Sequence, residues 1–205
     1  MEINELIKNY GIAITGNIGT GKSFVCNLLK KMKYPTIDAD LLSRKASEKN
    51  TDSYKEIINF FGPSILNPDE SINRQKLSKQ VFEKEEKRLA LEKIIHPAIE
   101  KLLEEELQSL GLFEKPSFWF YEAALIVEKN KSELFKEVWL TNCTNATQMD
   151  RLKSRKNNNS ESEIKNIIAT QKQFREKRKF CHFEINTDFS KEMIEEILRE
   201  KLKSL

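Results

Sequence analysis

The stretch Gly11–Ser23, with the sequence GIAITGNIGTGKS, decides the fold of this 205-residue chain. Its first five residues are a short apolar run, as in a buried parallel strand. The other eight match the pattern G-x-x-x-x-G-K-[ST] in full, and an amphipathic helical pattern begins at Lys22. A strand, a glycine loop and a helix in this order predict a phosphate-binding loop at the carboxyl end of a strand.

The residue types of this loop suit the triphosphate of a nucleotide. Its glycines permit a tight turn that directs successive backbone N–H groups at phosphate oxygens, and the following helix adds partial positive charge. Lys22 is expected to reach the β- and γ-phosphates, and the Ser23 hydroxyl to ligate Mg²⁺. We therefore predict ATP and Mg²⁺ as ligands, with Lys22 catalytic, Ser23 at the metal, and these residues at ATP: Gly16, Asn17, Ile18, Gly19, Thr20, Gly21, Lys22, Ser23 and Phe24.

Strand and helix signals alternate along the chain, with Gly11–Thr15 expected as the first ordered element. Residues 41–113 are expected to be almost continuous helix, with one segment closed at Gly62-Pro63 and a polar turn at 67–71. A long helix should follow from about Gln75, which Pro97 kinks or restarts. The alternation predicts an α/β fold of the P-loop NTPase type, a mostly parallel sheet flanked by helices. We expect a nucleotide-binding core at 1–48 and 114–205, a lid at about 148–172 within it, and a helical insertion at 49–113. The further strands are expected at residues 36–37, 117–121, 138–141 and 183–186.

Composition excludes several classes of protein. A net charge of +3 suits an anionic small substrate and is far below that of a dedicated nucleic-acid binder. The three cysteines, Cys26, Cys143 and Cys181, lack metal-ligand spacing and are expected to be reduced thiols. The first ten residues lack the apolar core of a signal peptide, and no apolar run approaches the ~20 residues that span a bilayer. We expect a cytoplasmic monomer or small homo-oligomer with no nucleic-acid or membrane partner.

Two carboxylates follow the second predicted strand. Asp38 and Asp40 should lie near the phosphate loop, because the carboxyl ends of parallel strands share one edge of the sheet. Phosphoryl transfer to a hydroxyl needs a carboxylate that accepts the alcohol proton. A helix N-cap explains an aspartate here equally well, and spacing alone does not separate the two roles.

Several ordered motifs resemble the dephospho-CoA kinase family. The loop alone is common to many NTPases, but the sequence IDADLLSRKA at Ile37–Ala46 resembles the opening of this family. The resemblance covers about residues 11–190, nearly the whole chain. Further matching positions follow in order: Phe61-Gly62, Ile65-Leu66, Asp69, Arg74, Ile95-His96-Pro97, Leu125–Glu128, Gln148, Arg151, Arg155, Gln171 and Asn186.

The resemblance implies a reaction and roles for matching residues. The expected reaction moves the γ-phosphate of ATP to the ribose 3′-hydroxyl of dephospho-CoA, as the last step of CoA synthesis. Asp40 would be the base, and Arg151 a lid arginine that stabilises the transferring phosphoryl group, with Arg155 beside it at ATP. The acceptor would be bound by Asp40, Arg44, Arg74 and His96.

Some positions depart from the family pattern or keep two interpretations. Phe24 stands where the family usually has a small residue, which should be tolerated if Phe24 faces the core. Glu122 stands in a segment where many members carry Asp, and a glutamate can also serve near Mg²⁺. The basic cluster around Arg151 is by itself typical of a solvated helical face. His96 suits a helix cap as well as a substrate contact.

Two rival classes share the loop. Another small-molecule kinase, acting on a nucleoside, nucleotide or shikimate-like acceptor, should lack the ordered set of IDAD, His-Pro and Gln-x-x-Arg. A non-kinase P-loop ATPase or switch is the second rival. A GTPase would carry N-K-x-D, which does not occur in the sequence, and a nucleic-acid motor would be longer and more basic.

Overall fold

The computed structural model describes residues 1–154, 168, 171 and 173–205. Within these residues, five strands form one sheet in the order β2-β3-β1-β4-β5, and all neighbouring strands are parallel. The predicted α/β fold is therefore confirmed. The strands are β1 Gly11–Thr15, β2 Thr36–Asp38, β3 Trp119–Glu122, β4 Glu137–Asn142 and β5 Phe183–Asn186. The helices in the described ranges are α1 Ile3–Tyr10, α2 Lys22–Lys31, α3 Ala39–Ala46, α4 Asp52–Phe61, α5 Arg74–Glu83, α6 Glu85–Ser109, α7 Asn145–Ser154, α8 Phe174–Arg178 and α9 Lys191–Lys203.

Strand β1 occupies the centre of the sheet and is buried along its whole length. Ala13 pairs with Tyr121 of β3 on one side and with Val138 of β4 on the other. Because both neighbours are parallel to β1, the carboxyl ends of all three strands lie at one edge, where the glycine loop begins. Trp119 and Trp139 are fully buried, so both belong to the core.

The contacts divide the chain into two compact units. Met1–Asp38 and Gly111–Leu205 form the sheet unit, and Ala39–Leu110 forms the helical unit. The helical unit therefore begins before residue 49, the boundary expected from the sequence. Helix α3 belongs to it because α3 packs against α6.

The helical unit is divided into separate helices. The break after Phe61 and the turn before Arg74 agree with the sequence, whereas the breaks between α3 and α4 and between α5 and α6 were not predicted. The Thr51 hydroxyl accepts a hydrogen bond from the Tyr54 N–H and caps α4, and the Asn73 side chain caps α5 in the same way through the Lys76 N–H. By contrast, α6 passes through Pro97 without restarting. The interior of this unit is formed by Ile57, Phe61, Ile65 and Leu77.

A helix precedes the first strand, so Gly11–Thr15 is not the first ordered element. Leu6 of α1 is fully buried. The last turn of α1 lies so close to the start of β1 that a Cβ atom at Gly11 would be 2.7 Å from the Ile7 carbonyl oxygen. Ile3, Leu6, Ile7 and Tyr10 keep the spacing of one helical face, a signal that could have predicted this helix.

Candidate active site

The glycine loop takes the conformation that its sequence predicts. Gly21 has φ +89°, in the left-handed region that glycine adopts without strain, and a Cβ atom there would lie 3.0 Å from the Thr187 side chain. At Gly16 a Cβ atom would lie 2.6 Å from the Thr141 carbonyl oxygen. Helix α2 begins directly afterwards at Lys22, so its N-terminus faces the loop.

The Lys22 ammonium lies against the loop itself. Nζ donates to the Gly16 carbonyl at 2.8 Å and to the Asn17 carbonyl at 3.2 Å. A charged donor held at the loop by carbonyl oxygens can exchange them for phosphate oxygens, which carry more negative charge.

A carboxylate meets the first turn of α2. The Ser23 hydroxyl donates to Glu122 Oε1 at 2.6 Å, and Glu122 is the last residue of β3. The Cys26 thiol, one turn further along α2, also faces this carboxylate. Burial raises the pKa of the Cys26 thiol, and the negative charge of Glu122 raises this pKa further.

The oxygens of Ser23 and Glu122 fit Mg²⁺, which prefers hard oxygen ligands. Within the described ranges, the structure contains no group of three or more His, Cys, Asp or Glu side chains that could hold a metal ion. At nucleotide sites Mg²⁺ commonly takes most of its ligands from phosphate and water, so few protein side chains are needed.

Two glutamine side chains bind the backbone N–H and the backbone carbonyl of Ile18 in the loop. Gln171 Oε1 accepts from the Ile18 N–H at 2.8 Å, and Gln148 Nε2 donates to the Ile18 carbonyl at 2.6 Å. Both glutamines occur in the family motifs, but the sequence did not predict these contacts. Long-range pairing of a side-chain amide with the backbone leaves no local sequence signal.

Arg151 also contacts the loop, through Thr187. Its guanidinium donates to the Thr187 hydroxyl and to the Thr187 carbonyl, both at 2.8 Å, and to the Gly19 carbonyl at 3.4 Å. The Thr187 hydroxyl in turn lies 3.0 Å from the Thr20 carbonyl oxygen. Thr187 directly follows β5, and its role could not be predicted because a threonine after a strand is a common residue.

The residues expected at the acceptor belong to the helical unit. Asp40 lies in the first turn of α3, which begins at Ala39, and Arg44 follows one turn later. Arg74 donates to the Ser47 hydroxyl at 3.2 Å. Burial lowers the pKa of the Arg74 guanidinium, the like charge of Arg44 lowers it further, and Asp40 opposes both. The three charged groups are therefore neighbours.

The other residues predicted at the site are His96, Arg155 and Phe24. His96 precedes Pro97 within α6. Arg155 and most of the predicted lid lie outside the described residues. Phe24 is 37% exposed, so the condition under which this departure from the family pattern should be tolerated, that it faces the core, is not met. It lies in the first turn of α2, whose buried face begins at the next residue, Val25.

A parallel sheet with a phosphate loop after its central strand and a helix at the loop's end defines a P-loop nucleotide-binding fold. Within that class, the chain belongs to the dephospho-CoA kinase family. The family model described as dephospho-CoA kinase matches residues 10–192. The family is a family of kinases, which implies ATP as co-substrate, and membership does not favour either rival class.

Individual relatives agree with this membership. The dephospho-CoA kinase of Bacillus cereus is 34% identical over 86% of this chain and 88% of its own length. That of Listeria innocua is 35% identical over 88% of this chain and 90% of its own length. The crystal structure of TT1252 from Thermus thermophilus superposes with a TM-score of 0.83 at 30% identity, covering 96% of this chain and 97% of the other. Among the described helices, none is long and apolar enough to cross a membrane.

Proposed function

We propose that this protein transfers the γ-phosphate of ATP to the ribose 3′-hydroxyl of dephospho-CoA, giving CoA and ADP. The observation that carries the proposal is the intact loop Gly16–Ser23, with Lys22 held against it, in a chain that belongs to the dephospho-CoA kinase family. The mildly positive net charge of +3 suits an acceptor that carries phosphate groups.

The loop is proposed to bind the triphosphate through its backbone N–H groups and the N-terminus of α2. Lys22 exchanges the carbonyls of Gly16 and Asn17 for oxygens of the β- and γ-phosphates. The ammonium then stabilises the charge that develops as the bond to the leaving ADP breaks. Gln148 and Gln171 support this arrangement because they fix the Ile18 peptide that precedes the phosphate-facing part of the loop.

Ser23 and Glu122 are proposed to hold Mg²⁺ together with the nucleotide. The hydroxyl of Ser23 would ligate the metal directly, and Glu122 would accept hydrogen bonds from its water ligands. Bound there, Mg²⁺ neutralises charge on the β- and γ-phosphates. The 2.6 Å hydrogen bond between the two side chains supports this pairing, because it already places both oxygens at one point.

Asp40 is proposed as the base. It takes the proton of the ribose 3′-hydroxyl while that oxygen forms its bond to the γ-phosphorus and ADP leaves. Arg44 and Arg74 are proposed to bind the phosphate groups of dephospho-CoA. The like charge of Arg44 lowers the pKa of the Arg74 guanidinium, and a bound anion would relieve this repulsion, which supports the role. His96 is proposed to contact the acceptor as well.

Arg151 is proposed to stabilise the transferring phosphoryl group, with Arg155 beside it at ATP. Its contacts with Thr187 and Gly19 keep the guanidinium adjacent to the loop, which supports a role in the reaction. We also propose that the protein works in the cytoplasm as a monomer or small homo-oligomer. Three free cysteines are consistent with a reducing compartment.

A coupled assay of ADP release tests the acceptor. Dephospho-CoA should stimulate ATP turnover well beyond adenosine, AMP or cytidine nucleotides at equal concentration. The product is checked by mass for one added phosphate and by cleavage with a 3′-specific nucleotidase for its place at the 3′-position. Equal or faster turnover with a plain nucleoside would overturn the assignment and favour a nucleoside kinase.

A further inference from the structure

Lys177 is a charged side chain in the interior of the sheet unit. It lies in α8, and its side chain is 0% exposed. The ammonium contacts Glu128 Oε1 at 2.8 Å and donates to the Ala124 carbonyl at 3.0 Å. A buried ion pair costs the hydration of both charges, and an apolar pair of similar size is often as stable or more so. Stability alone therefore does not account for a lysine at this position.

The second partner of Lys177 connects it to the nucleotide site. The Ala124 carbonyl also accepts a hydrogen bond from the Thr15 hydroxyl at 3.1 Å. Thr15 ends β1 and immediately precedes Gly16 of the loop, whereas Ala124 lies two residues after Glu122. One carbonyl thus joins the entrance of the phosphate loop, the chain that carries Glu122 and the buried ammonium.

After Glu122 the chain makes few backbone hydrogen bonds to neighbouring strands. The Ala123 N–H still donates to the Ile14 carbonyl at 3.0 Å, but β3 ends at Glu122. Beyond this point the segment 124–131 turns back on itself, with a bond from the Lys131 N–H to the Ile126 carbonyl at 2.9 Å. Glu128 belongs to this turn, so Lys177 holds the segment at two places.

We propose that the Lys177–Glu128 pair is a positioning device for Glu122. By fixing the Ala124 carbonyl and the turn behind it, the pair sets where the Glu122 carboxylate stands relative to Ser23. The proposal rests on the proposed role of these two residues at Mg²⁺. Losing the ammonium leaves the Ala124 carbonyl with the Thr15 donor and releases the turn, so the carboxylate shifts away from the metal position. Outer groups of this kind typically change metal affinity by ~10- to 100-fold.

The test separates positioning from simple stabilisation. Lys177→Met alone removes the ammonium that pairs with the largely buried Glu128 carboxylate and should lower the melting temperature. The double variant Lys177→Met/Glu128→Leu makes the pair apolar and should recover most of that loss. Lys203→Met is the matched control, because Lys203 is exposed and paired with Glu200 on the surface.

The readout is binding of a fluorescent ATP analogue, titrated with Mg²⁺ and repeated without it. Both Lys177 variants should need about tenfold more Mg²⁺ for half-maximal binding, while affinity without Mg²⁺ stays within about twofold of wild type. A double variant with wild-type melting temperature and wild-type Mg²⁺ dependence would overturn the proposal. If Lys177→Met does not fold, the Mg²⁺ dependence of the double variant tests the proposal. If the double variant does not fold either, the Mg²⁺ dependence of Glu128→Gln tests it.

This measurement is independent of the acceptor. Absence of turnover with dephospho-CoA, together with a shifted Mg²⁺ dependence of nucleotide binding, would reject the proposed acceptor and keep the positioning role. Normal turnover with dephospho-CoA, together with an unchanged Mg²⁺ dependence of nucleotide binding, would support the proposed acceptor and reject the positioning role.

Discussion

The hydroxyl of Ser23 donates a 2.6 Å hydrogen bond to Oε1 of Glu122 and joins the first turn of α2 to the end of β3. These residues are 99 positions apart in the chain. They meet because β3 lies beside β1 in the parallel sheet, and both strands end at the same edge. The bond brings a neutral oxygen ligand and a carboxylate to the point where the triphosphate is expected.

Replacing Glu122 with glutamine tests the carboxylate. The amide keeps the size and a hydrogen-bond acceptor for Ser23 but removes the negative charge that orients metal-bound water. We expect the Mg²⁺ concentration for half-maximal activity to rise by at least ~10-fold. Glu192→Gln, on the exposed face of α9, is the control for loss of one charge. A Glu122→Gln enzyme with unaltered Mg²⁺ activation would remove Glu122 from the metal site.

Replacing Lys22 with alanine tests the cation of the loop. Because the ammonium stabilises charge that develops in the transition state, kcat should fall by at least ~10²-fold, about 2.7 kcal/mol. Steady-state kinetics with saturating ATP measure this loss. The control is Lys30→Ala in the same helix, where the side chain is exposed. Near-normal kcat in Lys22→Ala would show that the loop lysine does not stabilise the transition state of phosphoryl transfer.

Arg151→Ala should lower kcat more than it weakens ATP binding, because the guanidinium matters most when phosphate charge spreads. Arg151→Lys should restore little, since a lysine cannot reproduce the two parallel bonds to Thr187. Kinetics and direct ATP binding are both measured. A pure rise in KM for ATP would indicate uniform ground-state binding instead. Thr187→Val then tells whether Arg151 acts by holding Thr187 beside the loop.

The base is tested by comparing Asp40→Asn with Asp38→Asn. The amide at position 40 loses the basic oxygen, and loss of a general base typically costs ~10²–10⁴-fold in rate. ATP affinity should change by less than ~1 kcal/mol, because Asp40 is not expected to touch the nucleotide. Rapid-quench measurement of the chemical step separates this effect from product release. Loss of turnover in Asp38→Asn alone would transfer the role to Asp38.

The cysteines should react slowly with alkylating reagents in the native protein. Burial raises the pKa of all three thiols, and the pKa of Cys181 reaches about 11. A raised pKa means less thiolate at a given pH, so labelling by iodoacetamide at pH 8 should be at least ~10-fold slower than for a free cysteine. Mass spectrometry should find Cys26 labelled last, and all three labelled in denaturant. Rapid native labelling of Cys26 would contradict its burial.

Strand and loop positions near the glycine motif could be predicted because their signals are local. The bounds of β1 and β5 agree with the predictions, since each is a short apolar or alternating run with clear ends. The start of α2 at Lys22 follows from the motif itself. In contrast, α1 was missed although its apolar residues keep helical spacing; Leu6 is the one fully buried residue of this helix.

Contacts over long sequence distances could not be predicted. The Ser23–Glu122 bond, the two glutamines at Ile18 and the buried Lys177–Glu128 pair all depend on which strands become neighbours. A lysine in a charged segment such as FREKRK gives no local sign that it is buried. The burial of Lys177 follows from packing of the short helix α8 against β4, a contact between distant parts of the chain.

The central place of β1 has a consequence for synthesis on the ribosome. Its partners β3 and β4 begin more than 100 residues later in the chain. At translation rates of ~5–20 residues per second, about 5–20 seconds pass between the synthesis of β1 and that of β3, its first partner strand. During that interval the helical unit Ala39–Leu110 can already form from local contacts, whereas β1 remains an unpaired apolar edge. The nascent chain should therefore depend on chaperones until β3 has emerged, and a ribosome stall between residues 60 and 118 should make it prone to aggregate.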